Sequence, residues 1–242
     1  VLLDLNLADS HGLETFTELH RVSSRLPIIV LSGISDEAVA IEAVRQGAQD
    51  YLVKSNLDNS HQLIRAIQFS LERFRRMAVE SELVSAQQVQ NSLYPASAPE
   101  IPGFDLFGQA WPAELVSGDY YDFIPMSNGD LGVAVGDVSG HGLGSALRMA
   151  ETRASINALG QAWANMHELA ATHDDLAAIL RRTNAVLNDS RTDKFVTLFF
   201  LRLNPVRRTF TYAAAGHRAY LLRSDGTREI LDCTGPPLGV MD

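Results

Sequence analysis

Two aspartates near the middle of the chain are placed where they could hold metal ions. Asp119 follows a glycine in SGDYYDF (117–123), and Asp137 follows a glycine at the end of the apolar run LGVAV. If the two stretches form neighbouring strands, both carboxylates reach one edge of a sheet. Hard divalent cations such as Mg²⁺ and Mn²⁺ prefer oxygen ligands, and two ions about 3.5–4 Å apart activate a shared water and hold a phosphoryl group for in-line attack. The pair therefore indicates a site for metal-assisted phosphoryl hydrolysis.

Glycines crowd the segment around Asp137. A glycine inside a regular element costs roughly 0.5–1 kcal/mol relative to alanine, so such a cluster indicates special turns or a close approach to something bound. Two interpretations stay open. Gly136 and Gly140 could let the backbone pack closely around metal ions, or the run is a glycine-rich turn in which Asp137 caps the helix of SALRMA. The cluster consists of Gly136, Gly140, Gly142 and Gly144.

A second set of polar residues stands at the ends of predicted strands near the amino terminus. Asp4 lies near the end of VLLDL, Ser32 ends PIIVLSG and Lys54 ends DYLVK. Open α/β sheets place their ligands at the carboxyl ends of their strands. An acid, a hydroxyl and an ammonium at one edge suit an acyl phosphate on the aspartate, which the lysine contacts and the hydroxyl follows as a two-position switch. Each residue alone is an ordinary strand-end group, and their joint placement carries the prediction.

The elements that must position this second set form an α/β unit. Residues 1–54 alternate short apolar runs with amphipathic stretches, the pattern of buried parallel strands joined by crossover helices. Val1 begins in the middle of a strand, and three strands make a thin sheet. We therefore expect an amino-terminally incomplete unit, or one whose remaining strands come from elsewhere.

This region resembles the receiver domain of bacterial response regulators, which has a flavodoxin-like fold. The matching stretches are VLLDLNLADSHGLE, IIVLSG and DYLVKSNLDNSHQLIRAI. The resemblance implies that Asp4 is the phosphoacceptor, that Ser32 is the switch hydroxyl and that Lys54 contacts the phosphate. It also implies a sensor histidine kinase as partner and Mg²⁺ for phosphorylation. The acids that hold this Mg²⁺ in the family follow an earlier strand that is not in this sequence.

A long helix is predicted after the receiver-like region. Residues 60–93 contain no proline or glycine, and their apolar residues follow 3-4 spacing, as in a coiled coil. We interpret the helix as a linker that forms a homodimer through this stripe; the alternative is a helix packed on its own domain. The predicted organisation is a partial receiver at 1–59, a signalling and dimerisation helix at 60–95, and a second domain at 96–242. The stripe begins with Ile64, Ile67, Leu71, Phe74 and Ala78.

The second domain is predicted to be α+β. Alternating, strand-like stretches occur before and after two helical segments near 143–163 and 173–190, so helices are expected to cover sheets. The expected strands are FDLFGQAW, GDYYDFIP, LGVAVGDV, FVTLFFLRLN, RRTFTYAAAG and RAYLLR.

Residues 85–242 resemble bacterial PPM-type Ser/Thr protein phosphatases of the sporulation stage II E and sigma-B regulator type. The resemblance rests on SAQQVQNSLYP, SGDYYDF, LGVAVGDVSGHGLGSALRMA, FVTLFFLRLN, YAAAGHRAYLL and TGPPLGV. It implies a β-sandwich flanked by helices and two Mn²⁺ or Mg²⁺ ions. It also implies a phosphoserine or phosphothreonine substrate on a small protein, such as an anti-sigma-factor antagonist. In the family, further metal-binding aspartates lie downstream of the position of Asp242, so we expect a carboxyl-terminally incomplete domain.

The same resemblance assigns individual site residues. It implies that Asp119 and Asp137 are catalytic metal ligands, that Asp137 bridges both ions and that the carbonyl of Val138 contributes an oxygen. Asp122 is a candidate only for a residue that contacts these ligands without binding a metal ion itself. The general acid is not identified: eukaryotic relatives have a histidine two residues after the bridging aspartate, whereas here it comes four residues after. The two histidines that follow glycines, His141 and His217, are interpreted as structural.

Composition narrows the remaining choices. Twenty Lys and Arg against 29 Asp and Glu give a net charge of −9, which argues against a nucleic-acid or membrane surface. The single cysteine, Cys233, cannot form an internal disulfide, which favours a reducing cytoplasm.

Two other functions compete with the phosphatase interpretation. One is a non-catalytic regulator that uses a phosphatase-like fold as a protein-binding platform. The other is a DNA-binding response regulator, against which the acidic balance argues.

Overall fold

The protein forms two compact units, Val1–Glu82 and Leu83–Asp242, in a computed structural model. The structure describes residues 1–23, 25–33, 36–56, 60–126, 129–166, 174–189 and 192–241.

The first unit is the predicted α/β arrangement. Its three strands are all parallel, in the order β1-β2-β3. Two helices connect them and bury Phe16 and Ala40 against Ile28 and Val30 of the sheet region. The elements are β1 (Leu2–Asp4), α1 (Leu13–Val22), β2 (Ile29–Ser32), α2 (Glu37–Arg45) and β3 (Asp50–Val53), followed by a short 3-10 turn at Lys54–Asn56.

The predicted long helix is α3 (Ser60–Asn91). Its first part packs on its own unit, because Ser70 is fully buried and the guanidinium of Arg73 donates to the carbonyl of Gln49 at 2.8 Å. Later apolar side chains are open to solvent: Met77 is 60% and Val79 is 57% exposed. The alternative of packing on its own domain therefore holds for the first part of the helix, and dimerisation stays a prediction.

The second unit is built on a four-stranded antiparallel sheet in the order β4-β5-β6-β7. Helices pack on one face of this sheet, and a β-hairpin packs on the other through Leu231, which meets Phe199 and Ala214. This layering agrees with a β-sandwich flanked by helices. The elements are β4 (Tyr120–Pro125), β5 (Leu131–Val138), α4 (Leu143–Met166), α5 (Asp174–Asp189), β6 (Val196–Asn204), β7 (Thr209–Ala215), β8 (Ala219–Leu222) and β9 (Arg228–Leu231).

Strand β5 shows how the sequence sets the two faces of this sheet. Successive side chains of a strand point to opposite faces. Ala134 and Val138 are buried toward the helices, whereas Val135 and Asp137 are exposed on the other face. The alternation thus places an apolar set in the core and leaves Asp137 open to bind.

One predicted strand does not form. In FDLFGQAW only Phe104 makes a β-bridge, with Ile101, and residues 105–112 lie outside helices and strands. Phe107 and Trp111 are 78% and 71% exposed. Alternation alone was misleading, because a strand also needs a neighbour that pairs with its backbone.

Among the helices that the structure describes, none has the length and apolar character that crossing a membrane requires.

Candidate functional site

The two aspartates singled out from the sequence lie side by side. Asp119 immediately precedes β4 and Asp137 is part of β5, and the antiparallel register sets Tyr120 opposite Gly136. The backbone N–H of Val138 donates to the carbonyl of Gly118 at 3.2 Å, which extends this pairing past Asp119. The sheet therefore brings both carboxylates to one edge, while their role as metal ligands stays a prediction.

The electrostatics of this pair fit a cation. Burial raises the pKa of Asp137, and the charge of Asp119 raises it further, against smaller opposing effects of His217 and of the Val138 N–H. A carboxylate whose ionised form is disfavoured by burial and by a neighbouring negative charge is stabilised by a bound cation. The donor set, two carboxylates and a carbonyl, is of the oxygen type that Mg²⁺ and Mn²⁺ prefer.

Glycine is required beside the predicted carbonyl ligand. A Cβ at Gly118 would lie 2.8 Å from the carbonyl oxygen of Val138, so glycine keeps that oxygen uncovered. Gly136 has a different reason, since a Cβ there would lie 2.7 Å from the carbonyl oxygen of Thr197 on β6. The close approach at Gly136 is therefore between two strands.

The alternative that Asp137 caps a helix is wrong. Asp137 lies inside β5, and α4 begins only at Leu143. The first bonds of that helix run from the N–H groups of Ser145 and Ala146 to the carbonyl of Gly142, each at 3.1 Å. The carboxylate of Asp137 is thus left for the site.

Several groups that the sequence did not reveal hold Asp119 in place. The hydroxyl of Ser117 donates to the Asp119 carboxylate at 2.9 Å and accepts the Asp119 N–H at 3.1 Å. The hydroxyl of Tyr94 donates to the Asp119 carbonyl at 2.7 Å, and burial, together with the Asp119 charge, raises the pKa of Tyr94 to about 12. Tyr94 belongs to the stretch SAQQVQNSLYP, and its place in this stretch of the phosphatase resemblance was the only sequence feature that pointed to it.

The two histidines differ in position. Nδ1 of His217 lies 2.9 Å from the hydroxyl of Thr197, which itself lies 3.4 Å from the Asp137 carbonyl. Burial lowers the pKa of His217, and the charge of Asp137 partly opposes this shift. His217 therefore lies in the surroundings of the site, and its interpretation as structural stays a prediction. His141 is 85% exposed and its Nδ1 lies 3.2 Å from a carboxylate oxygen of Glu114.

Asp122 does not stand behind the metal ligands. It is buried on the helix-facing side of β4, where its Oδ2 accepts a hydrogen bond from the amide of Asn157 at 2.7 Å and lies 3.3 Å from Nε of Arg153. Both partners belong to α4. The sequence resemblance placed Asp122 too close to the site, because alternation along β4 turns its side chain into the core.

Within the residues that the structure describes, three or more His, Cys, Asp or Glu side chains do not converge anywhere as a metal cluster. The predicted ligands are the two carboxylates, Asp119 and Asp137, and the Val138 carbonyl. Mg²⁺ usually keeps several waters and needs few protein ligands, so this small set fits such an ion.

The receiver-like residues also share one sheet edge. Asp4 ends β1, and Nζ of Lys54, just after β3, lies 2.6 Å from Oδ2 of Asp4. This hydrogen bond, and a second one from the N–H of Asn6, lower the pKa of Asp4. Ser32 ends β2, is 1% exposed, and its hydroxyl has no hydrogen-bond partner among the described residues. The three predicted residues are thus placed at the edge where they were expected.

Two known domain families match this chain. Residues 1–68 match the response regulator receiver domain. Residues 127–242 match stage II sporulation protein E. Both resemblances found in the sequence are confirmed.

Among individual proteins, phosphoserine phosphatase RsbU of Bacillus subtilis (strain 168) is 28% identical over 183 residues, which cover 74% of this chain and 49% of RsbU. Phosphoserine phosphatase RsbP of the same organism is 26% identical over 170 residues, covering 69% of this chain and 40% of RsbP. The chain therefore spans about half the length of these relatives or less.

A solved structure supports the fold. The SiaA-PP2C domain of Pseudomonas aeruginosa superposes with a TM-score of 0.52 at 23% identity, covering 69% of this chain and 65% of that domain. At this identity the likeness establishes a PP2C-like fold and nothing about chemistry.

Proposed function

We propose that this chain is a two-component response regulator with a metal-dependent protein Ser/Thr phosphatase as its output, because residues 1–68 match the response regulator receiver domain and residues 127–242 match stage II sporulation protein E. The observation that carries the proposal is the adjacent pair Asp119 and Asp137 beside a carbonyl that Gly118 leaves uncovered. The names of RsbU and RsbP, both phosphoserine phosphatases, agree with it.

In the proposed site, Asp119, Asp137 and the Val138 carbonyl would hold two Mn²⁺ or Mg²⁺ ions, with Asp137 as a ligand of both. Such ions supply an activated water and neutralise charge on the transferring phosphoryl group. Ser117 orients the Asp119 carboxylate through its hydroxyl. Thr197 stands between the Asp137 backbone and the His217 ring and fixes the orientation of that ring.

The proposed substrate is a phosphoserine or phosphothreonine on a small protein of the anti-sigma-factor antagonist type. A sensor histidine kinase would phosphorylate Asp4 in the presence of Mg²⁺, and Lys54 and Ser32 would contact and follow the phosphoryl group. The change would reach the phosphatase unit through α3, which begins in one unit and ends in the other. The exposed apolar residues Ile64, Leu71 and Val79 support a homodimer through this helix. We place the protein in the cytoplasm.

The second candidate is a phosphatase-like regulator that binds proteins without catalysis. The two candidates differ in whether metal binding and phosphate release depend on Asp137.

The test uses the whole gene product that contains this chain. Mn²⁺ binding is measured by calorimetry, and phosphate release is measured from a phosphoserine protein of the anti-sigma-factor antagonist type. Asp137→Asn is compared with Asp105→Asn, an exposed aspartate in the same unit. We expect Asp137→Asn alone to abolish both signals. Metal binding and turnover that survive in Asp137→Asn, or that are absent from the wild type, would overturn the phosphatase proposal.

A further inference from the structure

A glutamine on the last turn of α3 is bonded to the loop that carries Asp119. Gln90 is only 5% exposed. Its Nε2 donates to the carbonyl of Ser117 at 2.7 Å, and its Oε1 accepts the N–H of Ser117 at 3.0 Å. One side-chain amide thus satisfies both backbone groups of a single residue, as a neighbouring strand would do.

Ser117 passes this constraint on to the metal site. Its hydroxyl donates to the Asp119 carboxylate at 2.9 Å and accepts the N–H of Asp119 at 3.1 Å. The order of contacts is therefore from the Gln90 amide to the Ser117 backbone, and from the Ser117 hydroxyl to the Asp119 carboxylate. Each step is a hydrogen bond of ordinary length.

The segment before Asp119 is irregular and partly exposed. Residues 105–118 lie outside helices and strands, and most of 111–115 is exposed. Irregular segments with few buried contacts open at low free-energy cost. Close to Asp119 the segment is held by the buried amide of Gln90, the buried side chain of Val116, the hydrogen bond from the Tyr94 hydroxyl to the Asp119 carbonyl, and the bond between the Val138 N–H and the Gly118 carbonyl.

We propose that Gln90 is a positioning residue of the metal site, which sets the direction of the Asp119 carboxylate through Ser117. The inference rests on the proposed function and deepens it, because it identifies the point at which the helix from the receiver side contacts the loop of a metal ligand. Gln90 does not touch the metal or the substrate. Groups that orient a metal ligand typically change metal affinity about 10–100-fold when they are replaced.

The decisive variant is Gln90→Glu. Glutamate has nearly the same shape, but its carboxylate cannot donate to the Ser117 carbonyl and repels it instead. The matched control is Gln88→Glu, which makes the same change at an exposed position of the same helix. The full-length protein is used, and the probe is Mn²⁺ alone.

We expect Gln90→Glu to raise the Kd for Mn²⁺ about 10–100-fold and Gln88→Glu to leave it unchanged. In the metal-free protein, amide hydrogen exchange of residues 115–119 is expected to speed up in Gln90→Glu alone. If Gln90→Glu matches Gln88→Glu in both measurements, the inference is wrong.

A second variant covers the case in which Gln90→Glu disturbs the whole unit. Ser117→Ala keeps both backbone bonds to Gln90 and removes only the hydroxyl that reaches Asp119. It should raise the Kd for Mn²⁺ with only a small drop in the thermal midpoint of the metal-free protein, because both bonds of the hydroxyl are exposed, and it should be non-additive with Gln90→Glu. Unchanged Mn²⁺ affinity in Ser117→Ala would contradict the proposed chain of contacts.

The two proposals fail in different ways. A wild-type protein that binds no Mn²⁺ overturns the proposed function, and the exchange of residues 115–119 then still decides whether Gln90 fixes the loop. A wild type that binds Mn²⁺, with unchanged affinity and exchange in the Gln90 and Ser117 variants, leaves the function standing and removes the inference.

Discussion

The side chain of Lys194 lies across the first turn of α4, with its Cε 2.9 Å from the position that a Cβ at Gly144 would take. Its Nζ donates to the carbonyl of Ser139 at 3.3 Å, next to the hydroxyl of Ser145, which donates to the same oxygen at 3.1 Å. A Cβ at Gly140 would lie 2.9 Å from Nζ. Two glycines after Asp137 therefore leave room for a lysine side chain.

This relationship predicts a dependence between Gly144 and Lys194. Gly144→Ala should stabilise the wild type less than it stabilises a protein without the lysine, because the new Cβ forces the far end of the Lys194 side chain to shift. In a Lys194→Ala background the same change should be neutral or stabilising, since alanine is favoured over glycine in a helix by about 0.5–1 kcal/mol. Urea unfolding of the four proteins of this cycle measures the coupling.

Gly160→Ala is the matched control for the cycle. It lies in the same helix, where a Cβ would stand 3.7 Å from Ile124, an ordinary contact distance. Its effect should be the same with and without Lys194. Additive effects of Gly144→Ala and Lys194→Ala would show that the two residues do not share this space.

Asp137→Asn should have opposite effects on stability in the absence and presence of metal. Burial and the charge of Asp119 raise the pKa of Asp137, so its ionised form is less favourable in the folded chain than in the unfolded chain. The associated stability is fully present below the ordinary aspartate pKa and is lost as the pH rises through the raised folded value. Near pH 8 the wild type has lost this stability because Asp137 is ionised. The asparagine variant keeps a neutral side chain at this position at every pH.

The measurement is the thermal midpoint with and without Mn²⁺. Without metal, Asp137→Asn should be as stable as the wild type or more stable near pH 8, and this difference should shrink as the pH falls toward about 4. With Mn²⁺ the wild type alone should gain stability through binding. A metal-free Asp137→Asn protein that is less stable near pH 8 would contradict the pKa argument.

The sequence was sufficient to find Asp119 and Asp137 because their signal is local: each aspartate follows a glycine and stands next to a strand-like run. The pairing of β4 with β5 then follows from a short hairpin. Gln90 and Lys194 gave no such signal, because their partners lie 27 and 55 residues away along the chain. Their contacts depend on how the elements pack, which a local pattern does not contain.

The fold was predictable to a similar extent. Parallel strands in the first unit and helix α5 of the second follow from hydrophobic periodicity. The expected strand at FDLFGQAW and the unpredicted strand β9 (Arg228–Leu231) show the limit of periodicity. Three of the four β9 residues are exposed, so the strand exists through its pairing with β8 and carries little apolar pattern of its own.

Lys54→Met should raise the pKa of Asp4. The hydrogen bond from Lys54 is the largest cause that lowers this pKa, followed by the N–H of Asn6. A lowered carboxyl pKa contributes stability that is present above the unfolded value and is lost as the pH falls through the folded value. The side chains are 42% and 35% exposed, so we expect less than about 1 kcal/mol from the pair.

Carbon-detected NMR titration of the Asp4 carboxyl measures this shift. In Lys54→Met the midpoint should move up toward the ordinary aspartate value, and it should stay below that value because the Asn6 N–H remains. Arg45→Met removes a cation that pairs instead with Glu42 on α2, and it should leave Asp4 unchanged. An equal midpoint in wild type and Lys54→Met would mean that the lysine does not hold Asp4 in solution.

Asp122→Ala should weaken the fold of the second unit without removing its metal site. The change leaves the Asn157 amide without its acceptor at 2.7 Å, and an unsatisfied buried group costs about 1–3 kcal/mol. For a protein of this size, this corresponds to a midpoint lower by roughly 2–4 °C per kcal/mol. Arg153 is 30% exposed and can turn to water, which limits the loss. Calorimetry should show Mn²⁺ affinity close to that of the exposed control Asp105→Ala, because the contacts of Asp122 are with α4. Loss of Mn²⁺ at unchanged stability would instead place Asp122 with Asp119 and Asp137.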